Sequence, residues 1–191
     1  DDIAYGIAVP RNLVGGTRHA KRTFDQEWVF PVVARGLDVV GISGACDPLP
    51  PRYGNVFVNG RKISGSAQNT DDRNAWLQHG IIAVRRHVAG DYVRYVRNGE
   101  TDLAKIASQM TSIEEERGFV GNSEIAHALD FEFSRLAEKF GIKLVGASLS
   151  AEEAERSREL TRSKYENEEW LLFGSGWQDK SERATCFVGW S

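Results

Sequence analysis

Asn59-Gly60 is the pair of residues that most restricts how this chain can fold. A two-residue β-turn of type I′ needs positive φ at both central positions, which asparagine and glycine tolerate and most residues do not. The pair stands between Asn55-Val56-Phe57-Val58 and Lys62-Ile63-Ser64, two short runs suited to strands. A hairpin is therefore expected here, with Lys62 on its returning strand. The residues that follow, Gly65-Ser66-Ala67-Gln68, are too small to build a core. Small side chains let a ligand approach the backbone closely, and the lysine beside them supplies a positive charge for a carboxylate or phosphate.

Around this hairpin the pattern reads strands first, helices later. Ile3–Val9 reads as a strand ended by Pro10, Trp28–Val33 as a buried strand, and Leu37–Ile42 as another. Asn12–Thr17 reads as a loop. Gly44 to Pro51 holds three prolines, which remove backbone donors and bar helix, so it reads as a rigid loop. Leu77-Gln78-His79-Gly80 leads into a strand over Ile81–Val84, and Asp91–Ala107 reads as irregular chain with a short helix. From Ser123, a possible cap, apolar residues recur at helical spacing until Gly141. Ile142–Val145 is expected to be a strand. Ser150-Ala151-Glu152-Glu153 is a capping box opening a helix to about Tyr165. The tail with Trp170, Trp177 and Trp190 reads as a packed, irregular end. The order predicts an α+β fold: a single domain over 1–191, strand-rich in 1–90 and helix-rich in 100–191.

Length and charge narrow the function. A chain of 191 residues with 41% hydrophobic and 27% charged residues suits one globular domain. A net charge of −3 gives no electrostatic footprint for coating nucleic acid. No apolar run approaches the roughly 18 residues of a membrane span, and the first residues do not read as a signal peptide. Two cysteines, Cys46 and Cys186, make no disulfide framework, so reduced thiols and a cytoplasmic setting are expected. His19, His79, His87 and His127 lack metal-ligand spacing, and no metal site is expected from them.

The lysine block resembles that of the biotin/lipoate protein ligase superfamily, in its lipoate–protein ligase A and LipM-type octanoyltransferase branches. Gly60-Arg61-Lys62-Ile63-Ser64-Gly65-Ser66-Ala67-Gln68 and Leu77-Gln78-His79-Gly80 carry the likeness. Thr111-Ser112-Ile113-Glu114-Glu115-Glu116, Lys164-Tyr165 and Glu169-Trp170 are similar to family positions, and Arg11 to Thr17 looks like a degraded form of the family's arginine–glycine loop. The resemblance implies a mainly antiparallel, mixed sheet flanked by helices. It also implies that segments are missing. Family members carry a further unit before the glycine loop, and a helix where only Ala34-Arg35-Gly36 separates the two expected strands. Three residues are too few for a crossover helix.

The likeness also implies chemistry. Lys62 would hold and polarise an acyl carbonyl, an oxyanion-type stabilisation. Gly65, Ser66 and Ala67 would form a close-approach wall, Gln78, His79 and Gly80 would line the site, and Gly15 and Gly16 would cradle the acyl chain or an adenylate. Arg11 could fork onto a phosphate or carboxylate. Cys46, in a Gly-Ala-Cys-Asp-Pro loop, resembles the nucleophile of LipM-type enzymes, which splits one acyl transfer into two; the competing reading is a buried structural thiol. Cys186 is read as packing. On the transferase reading no cofactor is needed. The donor would be octanoyl–acyl carrier protein and the acceptor a lysine of lipoyl domains, in 2-oxoacid dehydrogenases or the glycine cleavage H protein. The alternative is a ligase working through lipoyl-AMP with ATP and Mg. There a magnesium-binding aspartate would fall at Asn55, a weaker ligand for lack of charge. A third reading is an inactive paralogue acting as a binding domain.

Overall fold

The computed structural model describes residues 2–14, 24–46, 55–69, 75–88 and 103–166, which fall in two compact units, Asp1–Leu144 and Val145–Ser191. In the first, β1 (Ile3–Pro10) runs into a helical turn, α1 (Arg11–Val14). A π-helical turn over Phe24–Val29 continues into α2 (Phe30–Val39). β2 (Asn55–Val58), β3 (Arg61–Asn69) and β4 (Ala75–Ile82) follow, then α3 (Leu103–Ser108), α4 (Ile113–Arg117) and α5 (Asn122–Lys139). The four strands form one sheet in the order β1-β4-β3-β2, every neighbour antiparallel.

Neither expected strand forms: Trp28–Val33 is helical throughout, and Leu37–Ile42 holds the end of α2 and the turn that follows it. Phe24, Trp28, Val29, Val32, Val33, Gly36, Leu37 and Val40 are all buried and recur every three to four residues. That is a helical stripe, and only its middle looks like a continuous apolar run. Pro31 is the second residue of α2, immediately after the π-helical turn. Ala34-Arg35-Gly36 is thus the interior of one helix, and the inference of a missing crossover there is corrected. Gly36 lets α5 pack closely, since a Cβ on it would lie 2.8 Å from Leu129 Cδ2.

One face of the sheet packs on α2 and α5 through Tyr5, Val9, Val56, Val58 and Ile82. Trp28 and Phe140 stack with centroids 4.0 Å apart. Helix α5 begins one residue before Ser123, with Gly121 at its cap. It closes on Gly141 (φ 70°): Ile142 N–H reaches Ala137 O at 2.9 Å and Gly141 N–H reaches Glu138 O at 2.9 Å, a Schellman motif. The strand expected over Ile142–Val145 is absent. A strand needs a neighbour for its backbone groups, and among the described residues none pairs with it; Leu144 and Val145 are exposed.

In the second unit, α6 (Ala151–Leu160) starts on the expected capping box, with Glu153 N–H donating to Ser150 Oγ and Ser150 N–H to Glu153 Oε2. A π-helical turn over Thr161–Tyr165 ends it. The tail tryptophans, Cys186, Gly15 and Gly16 lie outside the described residues. No helix among the described residues is long and apolar enough to cross a membrane.

Candidate active site

The hairpin forms as its central dipeptide requires, with Asn59 at φ 50° and Gly60 at φ 76°. Just beyond the turn the pairing shifts: Phe57 faces Lys62, but Val56 faces Ser64. Ile63 is therefore one residue too many, a β-bulge, and Ile63 and Ser64 both point into the core. The bulge reverses the alternation of β3, so Lys62, Gly65 and Ala67 share the face turned away from the helices. There the lysine lies directly on the glycine. A Cβ at Gly65 would come 2.7 Å from Lys62 Nζ and 3.6 Å from Asn55 Oδ1.

The Lys62 backbone is held from both sides. Phe57 flanks it on β2, and on the other side its N–H donates to Gln109 O at 2.8 Å and its carbonyl accepts from Thr111 N–H at 2.9 Å. The side chain is half-buried, and this burial pushes the ammonium pKa below that of an ordinary lysine. No carboxylate among the described residues pairs with it.

Cys46 extends the same ladder. Its N–H donates to Phe57 O and its carbonyl accepts from Phe57 N–H, both at 2.9 Å. Directly opposed residues in an antiparallel ladder project to the same face, so Cys46, Phe57 and Lys62 stand side by side across three chain segments. Two strand spacings put the cysteine and lysine Cα atoms about 10 Å apart. Cys46 is exposed, unlike a buried structural thiol.

Strand β4 begins at Ala75, earlier than expected, so Leu77-Gln78-His79-Gly80 lies inside it and alternates. His79 is exposed on the face of Lys62, opposite Gly6 and Ala67. Gln78 points into the core and is fully enclosed. Its amide donates to Asp25 Oδ1 and Ser66 Oγ, each at 2.7 Å, and its oxygen accepts from Gln68 Nε2 at 2.7 Å, which uses both its donors. Gly80 also faces inward, where a Cβ would collide with the Tyr5 hydroxyl. Burial pushes the Tyr5 phenol pKa up. Arg11 stacks its guanidinium 5.0 Å from the Trp76 ring. The sheet thus divides the expected site residues. Cys46, Lys62, Gly65, Ala67 and His79 share the outer face, while Ser66, Gln78 and Gly80 belong to a buried polar seam with Asp25 and Tyr5.

On that outer face Gly65 and Ala67 make a floor of very small side chains next to Lys62, bordered by Ile81 and His79 of β4, beyond which lie Ala4 and Gly6 of β1. Such a floor admits an alkyl chain against the backbone, with a cation and a thiol at one end. Among the described residues no three of His, Cys, Asp and Glu come together as a metal site. Sequence reasoning missed Gly6 and Asp25. Gly6 would have shown as the small residue of an alternating strand, whereas nothing local marks Asp25 as the partner of Gln78.

No protein-family model matches the chain. It is 31% identical over 146 residues to the octanoyltransferase LipM of Carboxydothermus hydrogenoformans, covering 73% of this chain and 52% of that protein. It is likewise 31% identical over 134 residues to LipM of Bacillus anthracis, covering 67% of this chain and 46% of that protein. The chain spans about half the length of the curated relatives it matches. In fold it is similar to lipoate–protein ligase A solved with ATP bound, at TM-score 0.63 and 20% identity over 90% of this chain and 65% of the other.

Proposed function

Because the chain belongs to the family of the LipM octanoyltransferases and is similar in fold to lipoate–protein ligase A, we propose that it moves an octanoyl group onto a lysine of lipoyl domains through a thioester on Cys46. The observation that carries this reading is the ladder joining Cys46, Phe57 and Lys62, which places thiol and ammonium on one face. The donor is octanoyl–acyl carrier protein. The Cys46 thiolate attacks the donor's carbonyl carbon; a new S–C bond forms, the carrier's C–S bond breaks, and the carrier thiolate takes up a proton from water. The acceptor's neutral lysine amine then attacks the Cys46 thioester. The amide bond forms, Cys46 leaves as thiolate, and the amine's surplus proton passes to solvent.

Both steps put negative charge on the carbonyl oxygen, and Lys62 is the cation on that face. Its half-buried setting makes the attraction stronger than in water. Gly65 and Ala67 give the alkyl chain a floor leading toward His79. His79 lies five positions further along from Lys62, about 15 Å in strand terms, so it borders the chain's path rather than the reacting carbonyl. Gly15, Gly16 and Arg11 remain candidates for covering the acyl group. The protein would act in the cytoplasm, on lipoyl domains of 2-oxoacid dehydrogenases or the glycine cleavage H protein.

The test is incubation with octanoyl–acyl carrier protein and a lipoyl domain, without ATP. Intact mass should show octanoyl on the protein and then on the domain, and Cys46→Ser should abolish both. Lipoate-dependent pyrophosphate release from ATP, unaffected by Cys46→Ser, would instead identify a ligase. Neither activity would leave a binding domain.

A further inference from the structure

The segment Thr111 to Glu116 closes around the lysine hairpin. Glu116 accepts three hydrogen bonds on one carboxylate: from Asn59 Nδ2 at 2.8 Å, Arg61 Nη2 at 2.7 Å and Thr111 Oγ1 at 2.6 Å. Each donor bears on the lysine. Asn59 is the first central residue of the turn, Arg61 precedes Lys62 on β3, and the Thr111 N–H is the donor to the Lys62 carbonyl. One carboxylate therefore brackets the Lys62 backbone from its own strand and from the segment beside it. Burial alone would raise the Glu116 pKa, but the bonds from Thr111, Asn59 and Arg61 and the charge of Arg61 together hold it below the usual value.

Glu116 is itself fixed to the sheet. Helix α4 is capped by Ser112, whose Oγ accepts from Glu115 N–H at 3.2 Å, and Ile113 beneath it is fully buried. The Ile113 and Glu114 N–H groups donate to Ala83 O and Val84 O at 2.9 and 3.0 Å, just past the end of β4. The clamp thus refers the tip of one hairpin to the exit of the strand that carries His79.

We propose that Glu116 is a positioning residue for Lys62, a clamp that keeps the bulged start of β3 in the register that lays the ammonium over Gly65. The proposal rests on the reading of Lys62 as the carbonyl-polarising group. A plain stabilising role for Glu116 would tie the same residues, so the experiment separates the two.

Glu116→Ala and Glu116→Gln are made in the full chain, alone and with Lys62→Met. Glutamine keeps an acceptor for Arg61 and Thr111 and can donate to Asn59 once that amide turns over. Two quantities are read: the steady-state rate of octanoyl transfer, and the pH midpoint for chemical acylation of Lys62, followed by mass spectrometry. Glu116→Ala should lower kcat about tenfold with KM little changed, and should move the Lys62 midpoint up towards an ordinary lysine as the side chain gains water. Glu116→Gln should stay near the parent in both. In the Lys62→Met background, Glu116→Ala should cost nothing further. An equal loss in both backgrounds, or an unmoved midpoint, overturns the proposal. If Lys62→Met transfers at the parent rate, the catalytic reading of the lysine fails, and the midpoint still decides whether Glu116 holds it. Should Glu116→Ala not fold, Thr111→Val removes a single arm and is judged by the same two readings.

Discussion

The Lys62 ammonium rests on Gly65, so close that a methyl group on the glycine would sit 2.7 Å from Nζ. Gly65→Ala therefore moves the cation without touching its charge. A displacement of about 1 Å in a positioned group can cost up to about 100-fold in rate. Gly65→Ala should lower kcat for octanoyl transfer by about 10- to 100-fold, while a urea melt shifts by no more than about 1 kcal/mol. A parent-like rate would mean that the lysine's resting place has no bearing on the reaction.

The half-buried ammonium also predicts an exchange of stability for activity. Its folded pKa lies below its unfolded one, so between the two values the unfolded chain binds the extra proton and stability rises with pH. Below that window the charged lysine is a net cost to the fold. Lys62→Met should raise the melting temperature at neutral pH while cutting transfer to a small, measurable residual rate. In the parent protein, transfer should fall on the alkaline side at a pH below the pKa of an ordinary lysine. Differential scanning fluorimetry and a pH–rate profile check the two halves separately.

Neighbouring residues on β4 should behave as opposites. Gln78→Ala removes the buried amide that bonds Asp25, Ser66 and Gln68, and should cost about 2–4 kcal/mol in chemical denaturation. His79→Ala, one residue on, removes an exposed side chain and should stay within about 0.5 kcal/mol. Its effect should appear instead as a higher KM for the octanoyl donor.

Acid should loosen the hairpin through Glu116. Its folded pKa is depressed, so the stability it contributes is complete above the unfolded value and is lost as pH falls through the folded one. Glu116→Gln should remove that portion of the acid dependence, seen as a flatter melting temperature in the pH range below an ordinary glutamate. Parallel curves for the two proteins would show that the carboxylate contributes nothing by titrating.

What could be read from the residues alone was whatever is decided locally. Asn59-Gly60 has few conformations open to it, and the Ser150–Glu153 box closes within one turn; both are found where expected. Helix α2 looks like a strand locally because Trp28 to Val33, the end of the π-helical turn and the start of the helix, satisfies a strand template. Only the longer series from Phe24 to Val40 exposes the helical period. Ile142–Val145 has strand-like residues, but whether a strand forms depends on a neighbour that no local pattern reveals. The site divides in the same way. Lys62 stood out by its company, whereas Ser66, Gln78 and Gly80 were expected beside the ligand and turn inward, because the parity of β3 and the early start of β4 decide which way they face. The role of Glu116 depends on partners 55 and 57 positions away in the chain, a distance no short motif spans.

The bulge at Ile63 sets which residues Lys62 can meet. Lys62 and Gly65 are an odd number of steps apart, and on a regular strand they would never meet. Their contact makes the interval between them a matter of parity rather than length. Pairing β3 regularly with Ile63 retained would turn the lysine's floor inside out, sending Gly65 and Ala67 into the core and Ser66 into solvent, whereas deleting Ile63 would leave Lys62 and Gly65 two steps apart on one face.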